Sequence, residues 1–373
     1  MPDLFDPIRL GPATLANRIA MAPMTRGRRP DERADAMTAR YYGQRATAGL
    51  IVTEGTTVSE QARGGVSVPG IWTPEQTAGW RLVTERVHAE GGHVFAQLWH
   101  VGRLSHAALQ PGGGSPVSSS ATPLADDPDN RVFATLEDGV PGFVRATPPR
   151  ALELAEIADV VGDFAAAARN AIDAGFDGVE IHGANGYLVE QFLNPNINRR
   201  EDRYGGSIEN RSRLAIELVD AVAAAVGADR VGIRLSPFGR GFDNAAYAET
   251  VDTYLLLARE LQERGVVYVH LNDQRPDGER IDEGFLRAFR SIYSGVLLLA
   301  GGLDKTEATD LIARDLIDVA AFGRHFIANP DLVRRLAADH PLAEPDVATF
   351  YGGGDAGYVD YPPAERDADA ARP

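Results

Sequence analysis

Short apolar runs recur along the chain, separated by longer stretches in which apolar residues return every three or four positions. The runs are RIAMAPM (18–24), LIVTEG (50–55), HVFAQLW (93–99), GVEIHG (178–183), VGIRLS (231–236), VVYVHLN (266–272), VLLLAGG (296–302) and VAAFGR (319–324). Segments apolar throughout suit parallel strands buried on both faces. The stretches 74–91, 154–175, 207–226 and 245–265 carry the three–four spacing of amphipathic helices. Gly91, Gly175 and Gly265 stand where such helices should stop. Eight alternating units predict an α/β fold, a closed (β/α)8 TIM barrel. A doubly wound open sheet, the alternative, rarely needs so many.

Residues 100–150 break the rhythm with PGGGSPVSSS, ADDPDN and ATPPR, and show no helical pattern before Ala151. A loop of that length inside a compact domain is a functional insertion or disordered. It follows the end of the third strand, so it should cover the catalytic face. The opening LFDPIRLGPATLANR reads as a hairpin plugging the barrel floor. Residues 1–362 are expected to form one domain, and 363–373 a disordered tail.

Composition narrows the chemistry. The chain has 373 residues, no cysteine and a net charge of −16. Thiolate nucleophiles, disulfides, iron–sulfur clusters and cysteine-based zinc sites are thereby excluded. An acidic chain without a concentrated basic patch is a poor nucleic-acid binder. The sequence shows no apolar run of membrane-spanning length and no signal segment, so a cytoplasmic protein without membrane attachment is expected. Lys305 is the only lysine. It lies where a helix begins, and a Walker P-loop is ruled out. HExxH, GxSxG and a strand-following GxGxxG are also absent, which argues against a Rossmann domain.

In a barrel the catalytic groups gather at the C-terminal strand ends. Seven of the eight runs deliver there Pro23, Met24 and Thr25; Glu54 and Gly55; Gln97 and Trp99; His182, Asn185 and Tyr187; Arg234; Gly301 and Gly302; Gly323 and Arg324. Gly-Gly after strand seven and Gly-Arg after strand eight suit a phosphate held by backbone N–H groups and an arginine, or are ordinary turns. HFIANP after Arg324 could form the short extra helix of such a site. Glu180, His182, His270 and Asp273 do not make a convincing metal set, so no metal is expected. Neutral donors and acceptors plus one arginine suit a planar polar heterocycle.

These residues lie in segments that resemble the Old Yellow Enzyme family. The segments are NRIAMAPMTRGR, GLIVTEGTTVS, FAQLWHVGR, GFDGVEIHGANGYLVEQFLNP, NRREDRYGGSIENRSR, VGIRLSP, AAFGRHFIANPDLVRRL and TFYGGGDAGYVDYP, collinear from about Leu4 to Pro362. The likeness is greatest to the bacterial ene-reductase branch. It implies a barrel with non-covalent FMN, reduced by NAD(P)H and re-oxidised in ping-pong fashion by an enone, a nitroalkene or another nitro compound or nitrate ester. Pro23, Met24, Thr25, Gly55, Gln97, His182 and Arg234 would then surround the flavin. Gly301, Gly302, Gly323 and Arg324 would take its phosphate. His182 and Asn185 would bind the activating oxygen, Tyr187 would donate the proton, and Trp99 and Tyr351 would line the pocket. Asn185 stands where several relatives have histidine; it donates but cannot become a cation. Thr25 stands where another branch has cysteine. The rival readings are a metal-dependent barrel hydrolase and a non-catalytic barrel, and the protein should be a monomer or homodimer.

Overall fold

Eight strands close into a parallel barrel in the order β10-β11-β12-β13-β14-β3-β4-β5. The computed structural model describes residues 2–135, 139–273 and 280–364. A short hairpin precedes the barrel, β1 (Ile8–Leu10) with β2 (Ala13–Leu15). The first three barrel strands follow: β3 (Ile19–Met21), β4 (Leu50–Thr57) and β5 (Val94–Trp99). Short insertion strands come next: β6 (Val117–Ser118), β7 (Arg131–Thr135), β8 (Pro141–Arg145) and β9 (Arg150–Ala151). The remaining barrel strands are β10 (Gly178–Gly183), β11 (Val231–Leu235), β12 (Tyr268–Asn272), β13 (Val296–Ala300) and β14 (Val319–Phe322).

The outer ring is built from α1 (Ala36–Gly43), α2 (Pro74–Ala89), α3 (Leu154–Asp173), α4 (Leu188–Leu193), α5 (Ile208–Val226), α6 (Thr250–Glu263), α7 (Glu283–Ile292) and α8 (Lys305–Ala313), with the short α9 (Arg324–Ala328) and α10 (Leu332–Ala337). Helix α2 starts where TPEQ predicts a start. Thr73 Oγ1 accepts from the Gln76 N–H, the Gln76 side chain accepts from the Thr73 N–H at 3.1 Å, and Pro74 needs no donor there. Helix α3 buries Ile157, Val160, Phe164, Ala167, Ala168 and Ala171, a stripe at the three–four spacing that its sequence carries.

All eight predicted strands are present, each shortened by one to four residues except the fourth, which matches, and the second, which runs on to Thr57. The hairpin does close the barrel floor. Leu10 and Leu15 join one buried cluster with the inward-facing Ala20, Leu50, Val52, Phe95, Tyr268, Leu298 and Val319. The insertion after β5 is ordered around two small pairings, antiparallel β7–β8 and parallel β6–β9. Most of the expected tail lies outside the described residues, but Ala364 N–H still bonds the Asp331 carboxylate at 2.9 Å. Lys305 opens α8 and pairs with Asp339 at 2.6 Å. Among the described residues no helix is long and apolar enough to cross a membrane.

Candidate active site

The barrel register sets the site. His182 on β10 lies opposite Arg234 on β11, which lies opposite His270 on β12. Across the other edge of β10, Glu180 lies opposite Gln97, and Gln97 lies opposite Gly55. Neighbouring strands therefore bring His182, Arg234 and His270 into one row and Glu180, Gln97 and Gly55 into another.

Below the rim is a buried polar knot. Glu180 accepts from Gln97 Nε2 at 2.7 Å and from Tyr268 OH at 3.0 Å, and contacts His270 Nδ1 at 2.8 Å. Burial works against its charge, yet His270, Arg234 and Gln97 hold its carboxyl below the usual range. Burial lowers His270 as well. The arrangement is a carboxylate hydrogen-bonded to an imidazole, with the Arg234 cation close by. Arg234 Nε is buried and has no hydrogen-bond partner among the described residues.

At the rim, His182, Trp99 and Tyr187 form an aromatic corner. The Trp99 ring is 6.3 Å from His182 and 5.0 Å from Tyr187, and the His182 and Tyr187 rings meet edge-on at 4.9 Å. His182 Nδ1 accepts the Ala184 N–H at 3.3 Å. A neutral imidazole so engaged carries its proton on Nε2. It is neutral: burial, helped by the Arg234 cation, brings its pKa down to about 3. The Tyr187 phenol is pushed above its usual value, first by burial and then by the Tyr351 phenol, against Arg234.

The turn joining these groups is held from below. Asn185 has φ +59°, a left-handed conformation that asparagine tolerates better than most residues, and Gly186 follows at +76°. A Cβ on Gly186 would sit 2.8 Å from the Gly241 carbonyl. The Asn185 N–H donates to Ser236 Oγ at 2.7 Å, and Ser236 donates to Glu190 Oε1 at 2.8 Å. Glu190 Oε2 takes the Gly186 N–H at 2.5 Å, and Oε1 also takes Tyr254 OH at 2.8 Å. Burial raises the Glu190 carboxyl to about 7, against these donors. Asn185 Oδ1 accepts from Asn272 Nδ2 at 2.6 Å, and Asn272 Oδ1 accepts from Arg234 at 2.7 Å.

The expected phosphate end is at the next strand tips. Gly301 and Gly302 have φ of +149° and +79°, and a Cβ on Gly301 would meet the Asp273 carbonyl at 2.5 Å, so the close approach requires glycine. Gly323 caps α9, a Cβ there would lie 3.6 Å from Met24 Sδ, and Arg324 opens the helix with its side chain exposed. Pro23, Met24 and Thr25 are half-buried in the segment leaving β3. Tyr351 is 68 % exposed, at the outer margin of the corner.

Sequence reasoning missed four contributors. The Phe242 ring lies tilted against Tyr187 at 5.7 Å. Arg280 binds the carbonyls of Gly301 and Gly302. Asn272 and Glu190 hold the turn. Asn272 was legible as a strand-end amide; the other three depend on distant loops or on the buried face of α4. Among the described residues no group of three or more His, Asp or Glu is arranged to hold a metal.

The model of the NADH:flavin oxidoreductase / NADH oxidase family matches residues 3–343. The chain is 40 % identical over 375 residues to 12-oxophytodienoate reductase 2 of Arabidopsis thaliana, covering 98 % of this chain and 96 % of that one. It is 41 % identical to 12-oxophytodienoate reductase 1 of Oryza sativa subsp. japonica, covering 96 % and 92 %. Among solved structures, morphinone reductase in complex with tetrahydroNAD superposes with a TM-score of 0.95 at 47 % identity over 99 % of each chain. The old yellow enzyme homologue of Zymomonas mobilis superposes at 0.90 with 36 % identity, over 97 % of this chain and 99 % of that one.

Proposed function

Because this chain belongs to the NADH:flavin oxidoreductase / NADH oxidase family, among the Old Yellow Enzymes, and is an NAD(P)H-dependent alkene reductase, we propose that it binds FMN and reduces C=C bonds activated by a carbonyl or nitro group, with Tyr187 as proton donor. The observation that carries this reading is the corner itself. A neutral His182 with its proton on Nε2 and an Asn185 amide with Nδ2 free stand beside a protonated phenol whose ring is 4.9 Å from the imidazole.

The residues suit the cofactor on physical grounds. Arg234 supplies a buried cation with an unused Nε donor, and Gln97, oriented by Glu180, keeps its Oε1 available as an acceptor. A fixed cation favours a heterocycle that gains negative charge on reduction. Gly301, Gly302, Gly323 and Arg324 would hold the phosphate, and Pro23, Met24, Thr25 and Gly55 would border the ring. When bound, FMN supplies two-electron chemistry, accepting hydride from a nicotinamide and delivering it to the β-carbon of the alkene.

The chain's own part lies at the other end of the alkene. As hydride arrives, negative charge builds on the carbonyl or nitro oxygen. His182 Nε2–H and Asn185 Nδ2–H stabilise it as an oxyanion hole of neutral donors. Tyr187 gives its proton to the α-carbon, and its raised pKa keeps it loaded well above neutral pH. Trp99, Phe242 and Tyr351 wall the space. The same donors suit nitro compounds and nitrate esters, whose oxygens also accept charge.

Tyr187→Phe tests the reading. In the FMN-loaded enzyme, stopped-flow should show flavin reduction by NADH or NADPH preserved, with 2-cyclohexenone turnover down by about 10²–10⁴-fold. Unchanged turnover would remove Tyr187 from the chemistry. A purified protein that shows no flavin spectrum even after FMN is added would remove the cofactor assignment.

A further inference from the structure

An asparagine at a substrate site is ambiguous, because its amide can present a donor or an acceptor to the ligand. Here the ambiguity is resolved through Asn272, at the C-terminal end of β12 and 1 % exposed. Arginine only donates. Arg234 gives a hydrogen to Asn272 Oδ1 at 2.7 Å, which fixes that oxygen as the acceptor. The other end of the same amide, Nδ2, then faces Asn185 and donates to its Oδ1 at 2.6 Å. With Oδ1 turned toward Asn272, the amide of Asn185 presents its Nδ2 N–H groups to the pocket. Its main chain cannot swivel to compensate, since its N–H is tied to Ser236 and the next N–H to Glu190.

We propose that Asn272 is a positioning residue that transmits the donor-only polarity of Arg234 to Asn185 and so commits the substrate site to oxygens that accept. The inference rests on the reading of His182 and Asn185 as the oxyanion hole. It links the cation expected beside the cofactor to the group expected on the substrate through one side chain bonded to both Arg234 and Asn185. The specificity consequence is chemical. Ligands with a carbonyl, nitro or phenolate oxygen at this point meet two donors. Ligands that present an N–H or O–H donor there face the donor ends of both side chains. Losing Asn272 frees the Asn185 amide to rotate, and the rejection of donors weakens together with the hold on acceptors.

Binding of 4-chlorophenol to the FMN-loaded protein, measured calorimetrically above the phenol's pKa, reads the donor pair without turnover. Asn272→Leu keeps the volume and removes both hydrogen bonds; affinity should fall roughly tenfold, the worth of one oriented hydrogen bond. In an Asn185→Ala background the same change should alter affinity by no more than about twofold, the usual limit of additivity. Asn272→Asp keeps the shape and the Arg234 contact but turns an acceptor toward Asn185. The Asn185 amide should flip, and phenolate binding should fall at least as far as in Asn272→Leu. Equal losses in both backgrounds, or an Asn272→Asp protein that binds as tightly as the parent, would overturn the proposal. So would a shifted flavin midpoint potential with unchanged phenolate affinity, since Asn272 would then act on Arg234 alone. A parent protein that binds neither FMN nor the phenol fails the functional reading instead, so the two failures are separable.

Discussion

At the scale of single residues, environment has set two side chains to one protonation state each. Burial and the Arg234 cation keep His182 neutral, with a pKa of about 3, so it donates from Nε2 at every working pH. Asn185 adds a second donor that stays neutral at every pH, so the oxyanion site works without a titrating group. His182→Ala should weaken 4-chlorophenol binding by roughly 10- to 100-fold, the worth of a well-placed donor to a charged oxygen, and a calorimetric titration reads it directly. Tyr187 is shifted the other way. Its acid form is depleted only above the ordinary phenol value of about 10, so the alkaline limb of kcat for enone reduction should lie above that value. A limb assigned to Tyr187 near pH 8 would contradict this. The identity of both residues was legible from the spacing His182, Asn185, Tyr187 after an apolar run. Their charge states were not, because desolvation depends on what other segments bring against them.

At the scale of elements, the turn between β10 and α4 depends on a carboxyl inside the helix it leads into. Glu190 is buried and collects Gly186 N–H, Ser236 OH and Tyr254 OH. Its folded pKa, about 7, exceeds the ordinary carboxylate value. The sign follows: the folded state binds the proton more tightly, so this group's stability contribution is complete below its unfolded pKa of about 4.3 and is lost as pH rises through 7. Glu190→Gln removes the titration. The difference in Tm between pH 5 and pH 8.5 should shrink in that variant; an unchanged difference would assign the pH dependence elsewhere. That the acid of EQFL faces inward was not visible in the sequence, since α4 is only six residues long and is buried on all sides. The insertion is the opposite case. RVFAT alternates in and out as a strand should, but five residues without a partner in view do not announce a hairpin.

At the scale of the whole molecule, the C-terminal segment is clamped across the barrel mouth by arginines from the loop after β3. Arg26, 1 % exposed, donates to the carbonyls of Phe350 at 2.9 Å, Thr349 at 3.3 Å and Gly357 at 2.9 Å, and Arg28 reaches Thr349 at 2.6 Å. Tyr41 and Tyr358 stack at 4.1 Å alongside them. Arg26→Met should free this segment and with it Tyr351. The expected signs are faster proteolysis near residue 350 and a KM for enone raised several-fold, with the flavin spectrum retained; a KM unchanged in a cleavable protein would take Tyr351 out of the pocket. The arginines of RGRR thus serve internal contacts, which nothing in their local sequence announces. The sequence by itself determined the barrel, the order of its units and which residues stand at the strand ends, because continuous apolar runs, three–four patterning and glycine stops are local consequences of backbone geometry. It determined the His182–Asn185–Tyr187 cluster for the same reason. Only the tertiary structure decided which way each amide faces, which acids are charged and what closes the mouth. Those depend on hydrogen bonds and desolvation between residues dozens to hundreds of positions apart, such as Arg234 with Asn272 and Arg26 with Gly357, and no local pattern encodes them.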